Sequence, residues 1–199
     1  MWNWLFGRKQ MVCCYCLKWV RSTAARPTHC TECRKELPPL YVERYTQVPP
    51  FFVQVFGWSQ VGKTVYLIAL TLTLMKMNSV WGRGYAHNPA TDATRNKIRE
   101  INQGLSKGQM PRPTQLGSEE LYMMILENME RWGGRTLVSR DCAGEIFDTM
   151  NVPLDQVPFL LKAPTTLMLV SLPDLWGTNS DGRSMYDLMT NYLNTLVKQ

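Results

Sequence analysis

A single stretch of the sequence, residues 51–64 (FFVQVFGWSQVGKT), restricts the fold more than any other. Its first half is apolar and aromatic, as is typical of a buried central strand in a parallel sheet. Its second half matches G-x-x-x-x-G-K-[ST], because Gly57 is followed after four residues by Gly62, Lys63 and Thr64. The glycines of this pattern let successive backbone N–H groups turn towards phosphate oxygens. The stretch therefore predicts a strand that leads directly into a phosphate-binding loop.

The apolar residues 65–75 that follow predict a buried helix, whose N-terminus directs the positive end of its dipole at the phosphates. In such a loop the lysine reaches the β- and γ-phosphates and the threonine hydroxyl binds Mg²⁺. We expect Lys63 and Thr64 in these roles. An ordinary turn before a helix is the alternative interpretation. The predicted nucleotide-binding residues of the loop are Gly57, Trp58, Ser59, Gln60, Val61, Gly62, Lys63 and Thr64.

Five of the six cysteines lie between positions 13 and 33. Cys13 with Cys16, and Cys30 with Cys33, form two C-x₂-C pairs separated by thirteen residues. Each pair makes a tight turn whose sulfurs converge on one ion, and two pairs complete a tetrahedron. Clustered cysteines in a chain with no export signal indicate a metal more often than disulfides. The spacing therefore predicts one Zn²⁺ held by these four thiolates.

The predicted zinc site is structural, because no ligand position remains open for a substrate. Cys14 and His29 are expected to be non-ligands, since Cys14 and Cys16 with one intervening residue make a poorer turn than C-x₂-C. A filled site supplies on the order of 10 kcal/mol of folding energy to a module too small to fold alone. Buried free thiols are the alternative interpretation.

Composition and charge restrict the class of protein. Apolar residues make up 45% of the 199 residues, which excludes wholesale disorder. Apolar runs are shorter than the ~20 residues of a membrane span, and the N-terminus lacks the order of a secretory signal, so we expect a cytoplasmic protein. Residues 1–50 carry eight Lys and Arg against three Glu, and the remainder carry fourteen against thirteen acidic residues. Zinc-bound thiolates cancel part of this basic charge, so nucleic acid is not an expected partner.

Prolines 38, 39, 49 and 50 predict an extended connector with one short strand over residues 40–45. The predicted domains are a zinc ribbon with its connector, residues 1–48, and an α/β domain, residues 49–199. Further along the chain, the pattern predicts a glycine-rich turn over 81–87, a helix over 91–108, a hairpin over 120–141, a strand over 165–172 and a capping box at Ser184 and Asp187.

Two loops supply further candidate residues. Residues 108–117 form a loop with two prolines, and Thr114 is its only threonine. A hydroxyl there can complete a Mg²⁺ shell, although a plain surface turn explains the loop equally well. The hairpin ends at Asp141, where an acidic residue beside a phosphate loop can hold Mg²⁺ through water. Gly144 leaves its N–H group available for a γ-phosphate oxygen.

The order of strand, G-x₄-GKT loop, helix, threonine loop, hairpin, D-x-A-G-E segment, helix and strand resembles the translation-factor and Ras-like class of P-loop GTPases. With a zinc ribbon ahead of the core, the chain is similar to the bacterial double-GTPase families linked to conflict systems. The resemblance covers residues 51–199 for the core and 11–35 for the ribbon. It implies a Ras-like sheet with one antiparallel hairpin strand at its edge, Mg²⁺-dependent GTP binding, and slow hydrolysis as a molecular switch.

The same resemblance implies roles for individual residues. Thr114 stands in the place of the first switch threonine, and Asp141 and Gly144 in the place of the second switch signature. Glu145 occupies the position where many members use glutamine or histidine to orient water, so this carboxylate is a departure. The implied catalytic residues are Lys63, Thr114 and Glu145. The implied magnesium ligands are Thr64, Thr114 and Asp141.

The chain also departs from the class by an absence. No Asn-Lys-x-Asp motif for reading guanine follows the predicted strand 165–172. Specificity for guanine is therefore implied by the resemblance alone, and the predicted core ends before the strand that carries this motif in the class. We therefore expect this strand edge to be completed by a second copy, by a separate GTPase-like subunit or by a longer C-terminus.

Three other functions remain open on the sequence. A scaffold that binds nucleotide without turnover is favoured by Glu145 and the early end of the core. A zinc-ribbon nucleic-acid binder is favoured by the basic front but opposed by the thiolate charge. A nucleotide kinase would place a zinc lid after the loop, whereas these cysteines precede it.

Overall fold

The structure is a computed structural model, and it describes most of the chain between residues 11 and 170. Six predicted functional residues lie outside the described residues: Trp58, Ser59, Gln60, Thr114, Gly144 and Glu145. For Asp141 only the backbone is described. The described residues are 11–20, 26–57, 61–82, 84–109, 120–141 and 162–170, with Gly177, Ser184, Tyr186, Asp187 and Thr190.

The described residues form a mixed α/β fold with one five-stranded sheet and one two-stranded sheet. No helix among them is long and apolar enough to cross a membrane. The elements in chain order are β1 (Met11–Val12), β2 (Trp19–Val20), α1 (Pro39–Arg44), β3 (Pro50–Phe56), α2 (Lys63–Met75), α3 (Asn78–Trp81), β4 (Ala86–Pro89), α4 (Asp92–Ser106), β5 (Glu120–Met129), β6 (Gly133–Asp141) and β7 (Thr165–Met168).

The large sheet has the strand order β4-β5-β6-β3-β7. β3 lies between β6 and β7 and is parallel to both, whereas β4 with β5 and β5 with β6 are antiparallel. The predicted strand before the glycine-rich loop, the helix after it, the hairpin and the later strand are therefore confirmed. A strand with parallel neighbours on both sides is covered on both faces, which explains why β3 is almost entirely apolar.

The two faces of β3 pack against different parts of the chain, because side chains alternate along a strand. Phe52 belongs to a buried cluster that includes the cysteines of the N-terminal module. Val53 and Val55 belong to another cluster, with Leu67 of α2. β3 is therefore the layer between the cysteine module and α2.

The predicted helix over 91–108 is confirmed as α4. It begins after Thr91, whose hydroxyl accepts a hydrogen bond from the Thr94 N–H group, and it buries Ile98 and Ile101. The capping box is also present: the Asp187 N–H group donates to Ser184 Oγ at 3.2 Å, and the Ser184 N–H group donates to Asp187 Oδ2 at 2.8 Å.

The short strand predicted over residues 40–45 is wrong, because this segment forms helix α1. Pro39 stands in the first turn, where its fixed φ and missing N–H group suit a helix start. Tyr41 is fully buried and donates from its hydroxyl to Val12 O at 2.6 Å. Tyr45 lies one turn later and accepts from the Val12 N–H group. Packing against the cysteine module therefore favours the helix.

The hairpin strand β5 is not the edge of the sheet, contrary to the expectation from the resemblance, because β4 pairs outside it. β4 ends at Pro89, which has no N–H group and suits an outermost strand. Past the end of β4, helix α4 covers the edge of β5. Thr94 Oγ1 donates to Leu121 O at 3.3 Å and accepts from the Met123 N–H group at 3.1 Å. A buried hydroxyl therefore continues the ladder where β4 stops.

Replacing the Thr94 hydroxyl tests this edge. We expect Thr94→Val to lower the free energy of unfolding by about 1–3 kcal/mol, since it leaves two buried backbone groups of β5 without their partner. Thr94→Ser keeps the hydroxyl and should cost about 1 kcal/mol or less. Urea unfolding followed by circular dichroism measures both. Equal losses for the two variants would contradict this role of the hydroxyl.

Candidate functional site

The two C-x₂-C segments fold into turns of the same design. In the first, Leu17 has a positive φ of 57° and the Cys13 N–H group donates to Lys18 O at 2.9 Å. In the second, Arg34 has a φ of 59° and the Cys30 N–H group donates to Lys35 O at 2.9 Å. The repetition of one geometry seventeen residues later along the chain explains why both pairs present their sulfurs in the same way.

Backbone N–H groups in each turn also point at the sulfur of the first cysteine. The Tyr15 N–H group donates to Cys13 Sγ at 3.3 Å, and the Glu32 N–H group donates to Cys30 Sγ at 3.4 Å. Such donors stabilise thiolate charge and fix the orientation of a metal ligand. The turns are therefore built to present two oriented sulfurs each.

The four sulfurs of the predicted zinc site converge. The ligand atoms of Cys13, Cys16, Cys30 and Cys33 all lie within 4.8 Å of one another, and the distances from Cys13 Sγ to Cys33 Sγ and from Cys16 Sγ to Cys30 Sγ are both 3.7 Å. A tetrahedron with Zn–S bonds of about 2.3 Å has edges of about 3.8 Å. The separation is far too long for a disulfide. This cluster can bind a metal ion such as zinc.

The expected non-ligands are not members of this cluster. Cys14 is buried but is not a member of the cluster. His29 is exposed, and its Nδ1 is paired with Thr28 Oγ1 at 3.0 Å. The structure therefore favours the four ligands that the spacing predicts.

The surroundings shift the pKa values of the thiols in different directions. A hydrogen bond with Cys14, together with burial, raises the pKa of Cys13, and burial raises the pKa of Cys16. For Cys30, burial acts upwards, but backbone N–H groups of Cys33 and Glu32 outweigh it and lower the pKa. Because a metal binds thiolates, zinc must displace protons from Cys13 and Cys16, and its affinity rises with pH.

The cysteine module is attached to the large sheet by a common core and by polar contacts. One buried cluster contains Cys13, Cys16 and Cys30 together with Phe52 of β3 and Val138 of β6. An ion pair between Arg44 of α1 and Glu127 of β5 joins the same two parts. The metal cluster therefore lies against one face of the sheet.

A second candidate site lies at the carboxyl end of β3. Gly62 has a φ of 88°, a left-handed conformation that favours glycine, and α2 begins at the next residue. Lys63 is 6% exposed, and its Nζ donates to Gly57 O at 2.9 Å. The lysine thus spans the loop from its last residue back to its first, and Thr64 follows in the first turn of the helix.

Gly57 is required by close packing. A Cβ atom at this position would overlap Leu169 O, in the residues that follow β7, and would lie 2.9 Å from Val61 Cγ2. The Leu169 N–H group donates to Phe56 O at 2.8 Å, so the chain after β7 is bonded to the last residue of β3. The beginning of the loop is therefore held between its own far side and the end of β7.

The backbone of Asp141 lies at the same edge of the sheet as this loop. Arg140 is opposite Gln54 in the β3–β6 register, so Asp141, the last residue of β6, is level with Val55. The structure thus brings together Gly57, Gly62, Lys63, Thr64 and the Asp141 backbone. The other predicted switch residues lie outside the described set.

A row of polar residues just before this edge was not predicted as functional. Gln54 is completely buried, and its partners across the sheet are Arg140 and Thr166. Arg140 is 2% exposed and donates from Nη1 to Tyr15 O in the first cysteine turn. In the sequence, this row was indicated only by a glutamine within an otherwise apolar strand and by an arginine near the end of a strand, where an apolar residue is usual.

The charge of Arg140 acts on the first cysteine turn. Burial raises the pKa of Tyr15 to about 12, whereas the charge of Arg140 acts in the opposite direction.

Comparisons with protein-family models, curated proteins and solved structures find no match to this chain. Function is therefore inferred from the residues of the two candidate sites and their geometry.

Metal analysis of cysteine variants tests the cluster. We expect one equivalent of zinc per chain, lost in Cys16→Ser because a weaker ligand replaces one thiolate. Cys14→Ser is the matched control, since Cys14 is buried beside the site without being part of it, and it should retain the metal. Elemental analysis of the purified proteins measures both. Well under half an equivalent of zinc in the unaltered protein would sink this assignment.

Proposed function

We propose that the chain binds a nucleoside triphosphate, GTP by resemblance, with Mg²⁺, and hydrolyses it slowly as a molecular switch. The observation that best supports this proposal is the connection between β3 and α2. Gly62 has a left-handed conformation there, and the next residue, Lys63, donates from its side chain back to Gly57 O. By the resemblance to double-GTPase families, the switch serves a bacterial conflict system.

The position of the loop in the sheet supports this proposal. After β3 the chain builds β4, β5 and β6 on one side, and it then returns to place β7 on the other side. Ligands of open α/β sheets bind outside the carboxyl ends of the strands where the strand order reverses in this way. Gly57, Val61 and Gly62, the described residues of the loop, lie at that point.

The chemistry of the loop supports a phosphate ligand. Lys63 contributes a positive charge and is itself almost fully buried, and the helix dipole of α2 adds to this charge. In the proposal, Lys63 moves from Gly57 O to the β- and γ-phosphates, and Thr64 binds Mg²⁺. Asp141 would hold the ion from the end of β6, and Thr114 would complete its shell.

Hydrolysis in this proposal depends on residues beyond the described set. Glu145 would orient the attacking water, and the neighbouring Gly144 would supply its N–H group to the γ-phosphate. A carboxylate near the γ-phosphate adds negative charge where charge is already concentrated, so we expect slow turnover.

A scaffold that binds nucleotide without hydrolysis is the second candidate. One observation favours it: β7 ends the five-stranded sheet among the described residues, and β7 is the strand expected to be flanked by a base-reading strand. In this version a partner chain or a second copy pairs with the edge at 165–172 and supplies the base contacts. Nucleotide affinity of the isolated chain would then be weak, with little selectivity between GTP and ATP.

Two substitutions in the loop test nucleotide binding. We expect Lys63→Ala and Thr64→Ala to abolish Mg²⁺-dependent binding, since they remove a phosphate contact and a metal ligand. Calorimetric titration with a non-hydrolysable GTP analogue and Mg²⁺ measures the loss.

The matched controls are Lys76→Ala and Thr73→Ala, which remove the same side-chain types from exposed positions at the far end of the same helix. They should bind as the unaltered protein does. Retained zinc content shows that each variant is folded. Titrations of Lys63→Ala and Thr64→Ala that match the controls would rule out this site.

A further inference from the structure

Arg140 is a buried cation at the place where the cysteine module meets the sheet. It lies in β6 directly before Asp141, it is 2% exposed, and its Nη1 donates to Tyr15 O at 3.4 Å. Tyr15 stands between Cys13 and Cys16 in the first cysteine turn. A buried arginine is tied to its partners, because separating its charge from them costs several times a neutral hydrogen bond.

The backbone of Tyr15 connects this arginine with the metal ligands. Its N–H group donates to Cys13 Sγ at 3.3 Å, and its carbonyl accepts from Arg140. When four sulfurs close on an ion, the turn that carries Cys13 and Cys16 is fixed. The Tyr15 carbonyl, which accepts from the guanidinium of Arg140, is fixed with it.

The backbone of Arg140 lies at the edge of the sheet that carries the loop. Its register partners are Gln54 of β3 and Leu121 of β5, and Gln54 precedes Gly57 by three residues. The ladder on both sides makes the end of β6 move with its neighbours. A change in the position of Arg140 therefore reaches both Asp141 and the start of the loop.

We propose that Arg140 is a positioning residue that couples the four-cysteine metal site to the carboxyl edge of the sheet, so that metal and Mg²⁺–nucleotide each strengthen the binding of the other. The nucleotide half rests on the proposed function, whereas the metal half rests on the contacts of Arg140 alone. Coupling of this kind is reciprocal, since the factor by which one ligand strengthens the other is the same in both directions.

The test measures zinc affinity of the full chain by competition with a chromophoric chelator, with and without Mg²⁺ and the GTP analogue. For the unaltered protein, nucleotide should raise zinc affinity about fivefold or more. In Arg140→Met, zinc affinity without nucleotide should fall about tenfold, as for other groups that orient metal ligands. The effect of nucleotide on zinc affinity should vanish in this variant.

The matched control is Arg135→Met, which removes an arginine from the opposite end of the same strand, where it donates to Gly134 O at 2.7 Å. It should behave as the unaltered protein does. A merely structural role for Arg140 would weaken both affinities but leave their coupling factor unchanged. That result, in Arg140→Met or in Arg140→Lys if the former does not fold, would overturn the coupling.

The two proposals fail in different ways. If the unaltered protein binds no nucleotide, the proposed function is wrong. The metal half is then decided by Arg140→Met and Arg135→Met alone, and equal zinc affinities would overturn it. If nucleotide binds but does not change zinc affinity in the unaltered protein, the coupling is wrong and the proposed function stands.

Discussion

The burial of the cysteines under one face of the large sheet is the constraint on which the rest of the structure depends. Cys13, Cys14, Cys16 and Cys30 share a buried cluster with apolar side chains of β3, β5 and β6. A module of this size buries too little surface to fold alone and requires a metal or a larger body to pack against. Here the sulfurs converge in a cluster that can bind a metal, and the sheet is the larger body against which the module packs.

β3 connects the two candidate sites because one of its faces packs towards each of them. Phe52 packs towards the cysteines, whereas Val53 and Val55 pack towards α2, the helix that begins with Lys63. The metal cluster thus supports the strand that presents the loop. A metal bound by this cluster would support the proposed nucleotide site without contacting a nucleotide.

Local patterns in the sequence predict local features well. The strand, loop and helix around Gly57 were predicted because apolar length, glycine spacing and helix start agree within one short stretch. The four metal ligands were predicted because C-x₂-C spacing encodes the turn that converges the sulfurs. The capping box at Ser184 was predicted for the same reason, as its two residues are three positions apart.

Features that depend on distant partners were not predictable. The segment that forms α1 was predicted as a strand. Its helical conformation is fixed by hydrogen bonds between the hydroxyls of Tyr41 and Tyr45 and the backbone of Val12, about thirty residues earlier, and the local sequence does not encode these contacts. β4 has four residues, and only its pairing with β5 identifies it as a strand. The acceptor of Arg140 is the carbonyl of Tyr15, which is 125 residues away in the sequence.

The most direct test of this account is a chelator titration in which zinc release and loss of the sheet are followed in the same sample. Chelator absorbance reports zinc, and far-ultraviolet circular dichroism reports secondary structure. Because the cysteines and the sheet share one core, the account predicts that the two signals change together in one transition. Complete release of zinc at chelator concentrations where the circular dichroism of the sheet is unchanged would contradict it.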